Sequence, residues 1–301
     1  MPVELEPTVL VVSGVAIAAY ARAVRVLRRR GRSTPRRQQA AWYGGVALVA
    51  VAVVGPSGAY ADELMSAHMA EHLLLADIAA PLLIAGARTP VLVHLLPPRL
   101  LVIFARRRAI RAAFGALRRP AVAIGVYAVV LYAWHLRPAF EGALRSEALH
   151  AFQHQSFLAI SVLVWWSALE PGRGRMPGEL WKIGHIFAAR MVSVFLGMAF
   201  IFGGQAFYAG VYGSTTQRYG LTPLADQQTA GGMMMSLDVI IIMVALTLFF
   251  WRAAADFDRR EAAAARASEE ARPAAAPEPA VTPEAAAGEP AVSAARPARR
   301  G

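Results

Sequence analysis

Blocks of arginine separate the apolar runs of this chain, and that alternation limits its fold more than any other feature. Eight arginines fall in residues 22–37, eight in 88–119 and eight from Arg252 onward, with three basic residues in 173–182. The intervening loops contribute Arg137, Arg145 and Arg218. The apolar runs read 8–27, 41–56, 66–86, 120–138, 152–169, 183–203 and 229–251, and each approaches the roughly 20 residues a helix needs to cross a bilayer. Cytoplasmic loops of membrane proteins carry the excess of Arg and Lys. Residues 1–251 are therefore predicted to form an all-α, polytopic transmembrane helix bundle of about seven helices, with the N-terminus outside and the C-terminus cytoplasmic.

The composition agrees with a bilayer as solvent: 56% of the residues are hydrophobic, 17% are charged, and the mean hydropathy is +0.42. A net charge of +11 would by itself suit nucleic acid. Its confinement to blocks between apolar runs instead predicts a lipid bilayer as partner and no nucleic acid. Glu4 and Glu6 precede the first apolar run where a cleavable signal peptide carries basic residues, so no signal peptide is expected. Within 88–119, Pro97, Pro98 and Arg99 interrupt two short apolar stretches, which predicts an interfacial segment on the cytoplasmic side. Residues 252–301 are dominated by Ala, Pro, Glu and Arg and are expected to be a disordered cytoplasmic tail.

Topology sorts the seven histidines. His68, His72, His135, His150 and His154 fall at the outer ends of the third, fourth and fifth runs, whereas His94 and His185 lie on the cytoplasmic side. Spacing of i, i+4 puts His68 and His72 on one helix face, and His150 and His154 on another. Met65 shares the first face, at roughly 60° and 20° around the helix from the two histidines. Met233, Met234 and Met235 open the last run at a similar depth, just after Asp226 and Gln227. The chain has no cysteine, which excludes disulfides, iron–sulfur ligation and a Cys-x-x-Cys transfer motif. Imidazole with thioether suits Cu(I). Zinc, haem held between facing histidines, and a purely structural cluster remain open alternatives.

Charges inside the apolar runs are expensive unless paired or wet. Asp77 and Arg190 fall near mid-membrane and Asp238 within the last run, so Arg190 is expected to pair with a carboxylate, Asp77 first and Asp238 as rival. Glu71 is expected near the outer surface, in reach of water. No phosphate-binding glycine loop, nucleophile elbow or paired-carboxylate arrangement is legible, and the chain is not expected to be an enzyme.

Four motifs carry a family resemblance: Ser66-Ala67-His68-Met69-Ala70-Glu71-His72-Leu73-Leu74-Leu75, Trp134-His135-Leu136-Arg137-Pro138, Ala148-Leu149-His150-Ala151-Phe152-Gln153-His154, and Pro223-Leu224-Ala225-Asp226-Gln227-Gln228 with Ala230-Gly231. In this order they resemble the multi-span CtaG family of caa3-type cytochrome c oxidase assembly factors, over about residues 40–251. The resemblance implies a bacterial plasma-membrane protein that helps to assemble cytochrome c oxidase, with the oxidase subunits as partners and copper as cargo. It puts His68, His72, His135, His150, His154, Asp226 and Gln227 in the functional site. Residue chemistry adds Met65 and Met233 as metal ligands and Cu(I) as the ion. A copper transporter and a haem-bearing membrane redox protein are the alternative functions.

Overall fold

The structure, a computed structural model, describes residues 7–169 and 179–270. Among them all regular structure is helical, with no strand. Seven main helices carry the fold: α1 (Pro7–Arg29), α2 (Arg36–Val54), α3 (Met65–Gly86), α4 (Pro120–His135), α5 (Glu147–Leu169), α6 (Leu180–Phe202) and α7 (Pro223–Glu270). Every apolar run maps onto one of them. Five are long and apolar enough to cross a membrane: the spans Thr8–Arg29, Arg36–Tyr60, Met65–Gly86, Leu180–Phe202 and Pro223–Glu270. The other two fall short for visible reasons: α4 has 16 residues, and α5 opens on His150, Gln153, His154 and Gln155. Large apolar side chains remain exposed on the bundle, among them Val129, Phe195, Phe202, Val244 and Trp251, as expected of a surface that meets lipid rather than water.

Helix ends follow local chemistry. Proline stands in the first turn of α4 and α7, where its missing N–H costs nothing. The Thr222 hydroxyl accepts the Ala225 N–H at 3.1 Å and caps α7. Gly31, at φ 72°, takes the left-handed conformation that closes α1 after Arg28 and Arg29. α3 is not uniform, because Leu74–Ala79 forms a π-helical turn between Met65–Leu73 and Ala80–Gly86. Asp77 lies within that turn.

Close approach of small residues sets the packing. A Cβ on Gly86 would lie 2.6 Å from Trp42, and one on Gly231 would lie 2.6 Å from the Gly197 carbonyl oxygen. These glycines therefore let α2 meet α3 and α6 meet α7 at backbone distance. Tyr20 donates to the Gly86 carbonyl at 3.0 Å and stacks on Trp42, tying α1 to the same end of α3. The main core lies among α3, α4, α5, α6 and α7.

Two expectations change in detail. The 88–119 segment is three short helices, Val91–Leu95, Pro98–Arg106 and Arg108–Leu117, the last meeting α4 at 78°. Leu100, Ile103, Phe104, Ile110, Phe114 and Leu117 are exposed along them, which suits the interfacial placement. In the expected tail, residues 252–270 are helical and form the end of α7. Its run of alanine with Glu and Arg has high intrinsic helix propensity. Residues 271–301 lie outside the described residues, as does most of the 173–182 loop. From Phe257 the chain counts as a separate unit, exposed along its described length.

Candidate metal centre

α3 and α5 run side by side, and their two histidine pairs face each other at the end of the bundle that the arginine distribution assigns to the outside. Ring centroids are 4.3 Å apart for His68 and His72, 4.2 Å for His150 and His154, 5.0 Å for His68 and His150, and 5.1 Å for His72 and His154. One ring nitrogen each of His68, His72 and His150 lies within 4.8 Å of the others. Ligands about 2.0 Å from a shared ion stand roughly 3.3–3.5 Å apart, so small side-chain rotations suffice to close this set.

The polar state of these rings is unusual for a protein interior. His68 is fully buried and His72 nearly so, and none of their four ring nitrogens has a hydrogen-bond partner among the described residues. Each buried donor or acceptor left unsatisfied costs about 1–3 kcal/mol. Aromatic packing holds the rings instead: Phe140 lies 5.0 Å from His68, and Phe157 lies 4.7 Å from His72. Phe140 is itself fully buried and stacks on Tyr208 at 3.9 Å, closing the cluster on that side.

A second group overlaps the first. Glu71, His150 and His154 also offer ligand atoms within 4.8 Å of one another. Glu71 lies at the outer end as expected but is more enclosed, at 1% exposure, and its Oε1 lies 3.5 Å from His154 Nε2. Its place was legible from spacing: Glu71 follows His68 by three residues, and i, i+3 side chains share a helix face. Gln153, fully buried with an amide unpartnered among the described residues, also went unnoticed in sequence.

The remaining expected site residues divide. His135 stays beside the cluster but outside both ligand groups; its Nδ1 lies 2.7 Å from the Leu131 carbonyl oxygen, and its ring faces Phe140, Phe157 and Phe200. Asp226 and Gln227 lie outside both ligand groups and are engaged with backbone groups. Both Asp226 oxygens accept the first N–H groups of α3, Met65 at 2.6 Å and Ser66 at 3.1 Å, so the carboxylate caps that helix. Gln227 accepts the Phe207 N–H at 2.7 Å and donates to the carbonyls of Phe200 and Gln205. Met65 is buried in the core, whereas Met233 is 37% exposed and lines neither the cavity beneath the histidines nor the outer groove. Met234 faces inward instead, a helical phase that three consecutive methionines could not reveal. His94 and His185 each pair with a backbone carbonyl oxygen, Pro90 at 3.1 Å and Val164 at 3.0 Å.

Beneath the histidines lies a cavity of about 30 Å³, room for one or two waters, lined by His72 and His135 above and by Asp77, Tyr127 and Ser193 below. Under it the expected ion pair is present and larger than expected. Arg190 donates to Asp77, to Asp238 at 3.2 Å and to the Tyr127 hydroxyl at 3.0 Å. Four helices, α3, α4, α6 and α7, meet at this one guanidinium.

A helical membrane bundle with a buried imidazole cluster at one end defines the class. The chain matches the family described as cytochrome c oxidase caa3 assembly factor over residues 18–256, and it belongs to that family. It is also 28% identical over 249 residues to uncharacterized proteins of Mycobacterium bovis and Mycobacterium tuberculosis, an alignment covering 78% of this chain and 37% of each relative. The chain thus spans little more than a third of the curated relatives it matches. No solved structure matches it.

Proposed function

We propose that this protein serves cytochrome c oxidase assembly in the bacterial plasma membrane by holding Cu(I) at its outer end and passing it to an oxidase subunit, without catalysing a reaction. The observation that carries this reading is the state of His68 and His72, whose ring nitrogens are buried beside His150 with no hydrogen-bond partner among the described residues. An ion shared by the three rings satisfies one nitrogen of each. The three donors are neutral imidazoles, a ligand type that copper accepts. The neighbouring cavity is water-sized, a scale that favours an ion over a haem macrocycle.

Metal analysis of purified protein loaded anaerobically with Cu(I) tests the proposal. About one copper per chain is expected, and a His68→Ala/His72→Ala variant should bind none while inserting normally, since the change removes polar groups from an apolar span. In a host dependent on this protein, the double variant should give low oxidase activity and a copper-deficient oxidase. Excess copper should restore part of that activity by mass action. Full oxidase activity at limiting copper would exclude the His pair as the working site. Copper uptake into sealed vesicles, if seen, would favour the transporter reading.

A further inference from the structure

The two ligand groups share one residue, His150, and they differ in what they face. A groove of about 590 Å³ runs along the outer ends of α1, α2, α3 and α5. Glu71, His150 and His154 line it, whereas His68 and His72 do not. Its rim carries two further carboxylates, Asp62 and Glu147, and no lysine or arginine among the described residues that line it. A cleft of one sign concentrates ions of the other. The buried rings adjoin the groove-lining ones: His150 stacks on His68 and touches His154, which lies 5.1 Å from His72, and His150 alone belongs to both ligand groups.

We propose that the ion enters and leaves the buried histidine site by ligand exchange on His150, with Glu71 and His154 as the transient outer ligands. This inference rests on the copper reading above. On release, Cu(I) keeps its bond to His150 while its bonds to His68 and His72 break and bonds to a Glu71 oxygen and His154 nitrogen form. The His150 bond breaks last, as an acceptor in the groove takes the ion. No electron is transferred at any step. Ligand softness sets the resting position: three imidazoles suit Cu(I) better than a set that includes a carboxylate, so the inner group holds and the outer group conducts. Removing the outer carboxylate should then change rates in both directions and leave the equilibrium alone.

The test uses the full chain in detergent, loaded with Cu(I) and challenged with a water-soluble bathocuproine-type chelator. Glu71→Gln should keep wild-type copper stoichiometry and an affinity within about threefold, yet release copper at least tenfold more slowly. It should also take copper up more slowly by the same factor. His154→Gln should behave alike and carries the test if Glu71→Gln does not fold, and His150→Ala should lose binding itself. Wild-type release rates in folded Glu71→Gln or His154→Gln overturn the relay and leave the inner site standing. Loss of equilibrium copper in Glu71→Gln overturns it too, by making Glu71 a resting ligand. Absence of copper from the wild-type protein refutes the underlying reading instead.

Discussion

Replacing Arg190 with leucine takes away the cation around which four helices converge, and the structure allows the damage to be ranked against the loss of either carboxylate. Arg190 is 1% exposed and touches Asp77, Asp238 and Tyr127, whose ring also lies 5.3 Å beneath the guanidinium. Leucine at this position strands two carboxylates in a low-dielectric interior, and breaking a buried pair in this way costs about 3–5 kcal/mol. For a unit of this size, that corresponds to a fall of roughly 6–20 °C in midpoint temperature. Asp77→Asn leaves Arg190 with Asp238, a longer contact, and should fall between. Asp238→Asn should be mildest, because the closer Asp77 pair survives and a second buried carboxylate is removed. Thermal unfolding in detergent, followed by size-exclusion fluorescence, reads the series directly. An Arg190→Leu protein as stable as wild type, or an Asp238→Asn protein less stable than Asp77→Asn, would refute the account of this cluster.

Two further substitutions separate packing from ligation. Gly231→Ala should destabilise the bundle by about 1–3 kcal/mol, because its Cβ would sit 2.6 Å from the Gly197 carbonyl oxygen and 2.9 Å from Phe200. Gly232→Ala, with nothing within 4 Å, should be neutral, and equal midpoint temperatures for the two would show that the α6–α7 crossing is misread. Asp226→Asn should weaken the α3 cap by about 1 kcal/mol, because the amide can accept only one of the two N–H groups that the carboxylate accepts, yet keep copper stoichiometry; a folded variant that binds no copper would make Asp226 a ligand.

The elements of the bundle were legible because hydropathy and arginine placement report directly on lipid contact, and the pairing of Arg190 was legible because lipid leaves a buried cation no other option. The facing of His68 and His72 against His150 and His154 followed from two i, i+4 spacings at one depth. What sequence could not give was the π-helical turn at Leu74–Ala79, which carries Asp77, since no residue type there announces it. Nor could it separate ligands from scaffold within a family motif. Asp226 and Gln227 sit in a segment that resembles the family as closely as the histidines do, but a motif marks what is retained and not why. Only their hydrogen bonds show that they fix α3 and the 203–208 turn.

That separation bears on what kind of metal site this can be. Histidines that keep a resident ion usually donate their second ring N–H to a carboxylate or carbonyl, which fixes the tautomer and raises affinity. His135, His94 and His185 have such a carbonyl neighbour, whereas His68 and His72 have none among the described residues. Their positions are instead fixed through the backbone, by the Asp226 cap above and the Arg190 cluster below, and by the rings of Phe140 and Phe157 around them. Polar support that would tighten a site is thus spent on holding the helices, and the imidazoles are left ordered but without outer partners. Ligands arranged in this way would gather an ion without the reinforcement that makes its departure slow, which is the property the proposed hand-off of copper requires.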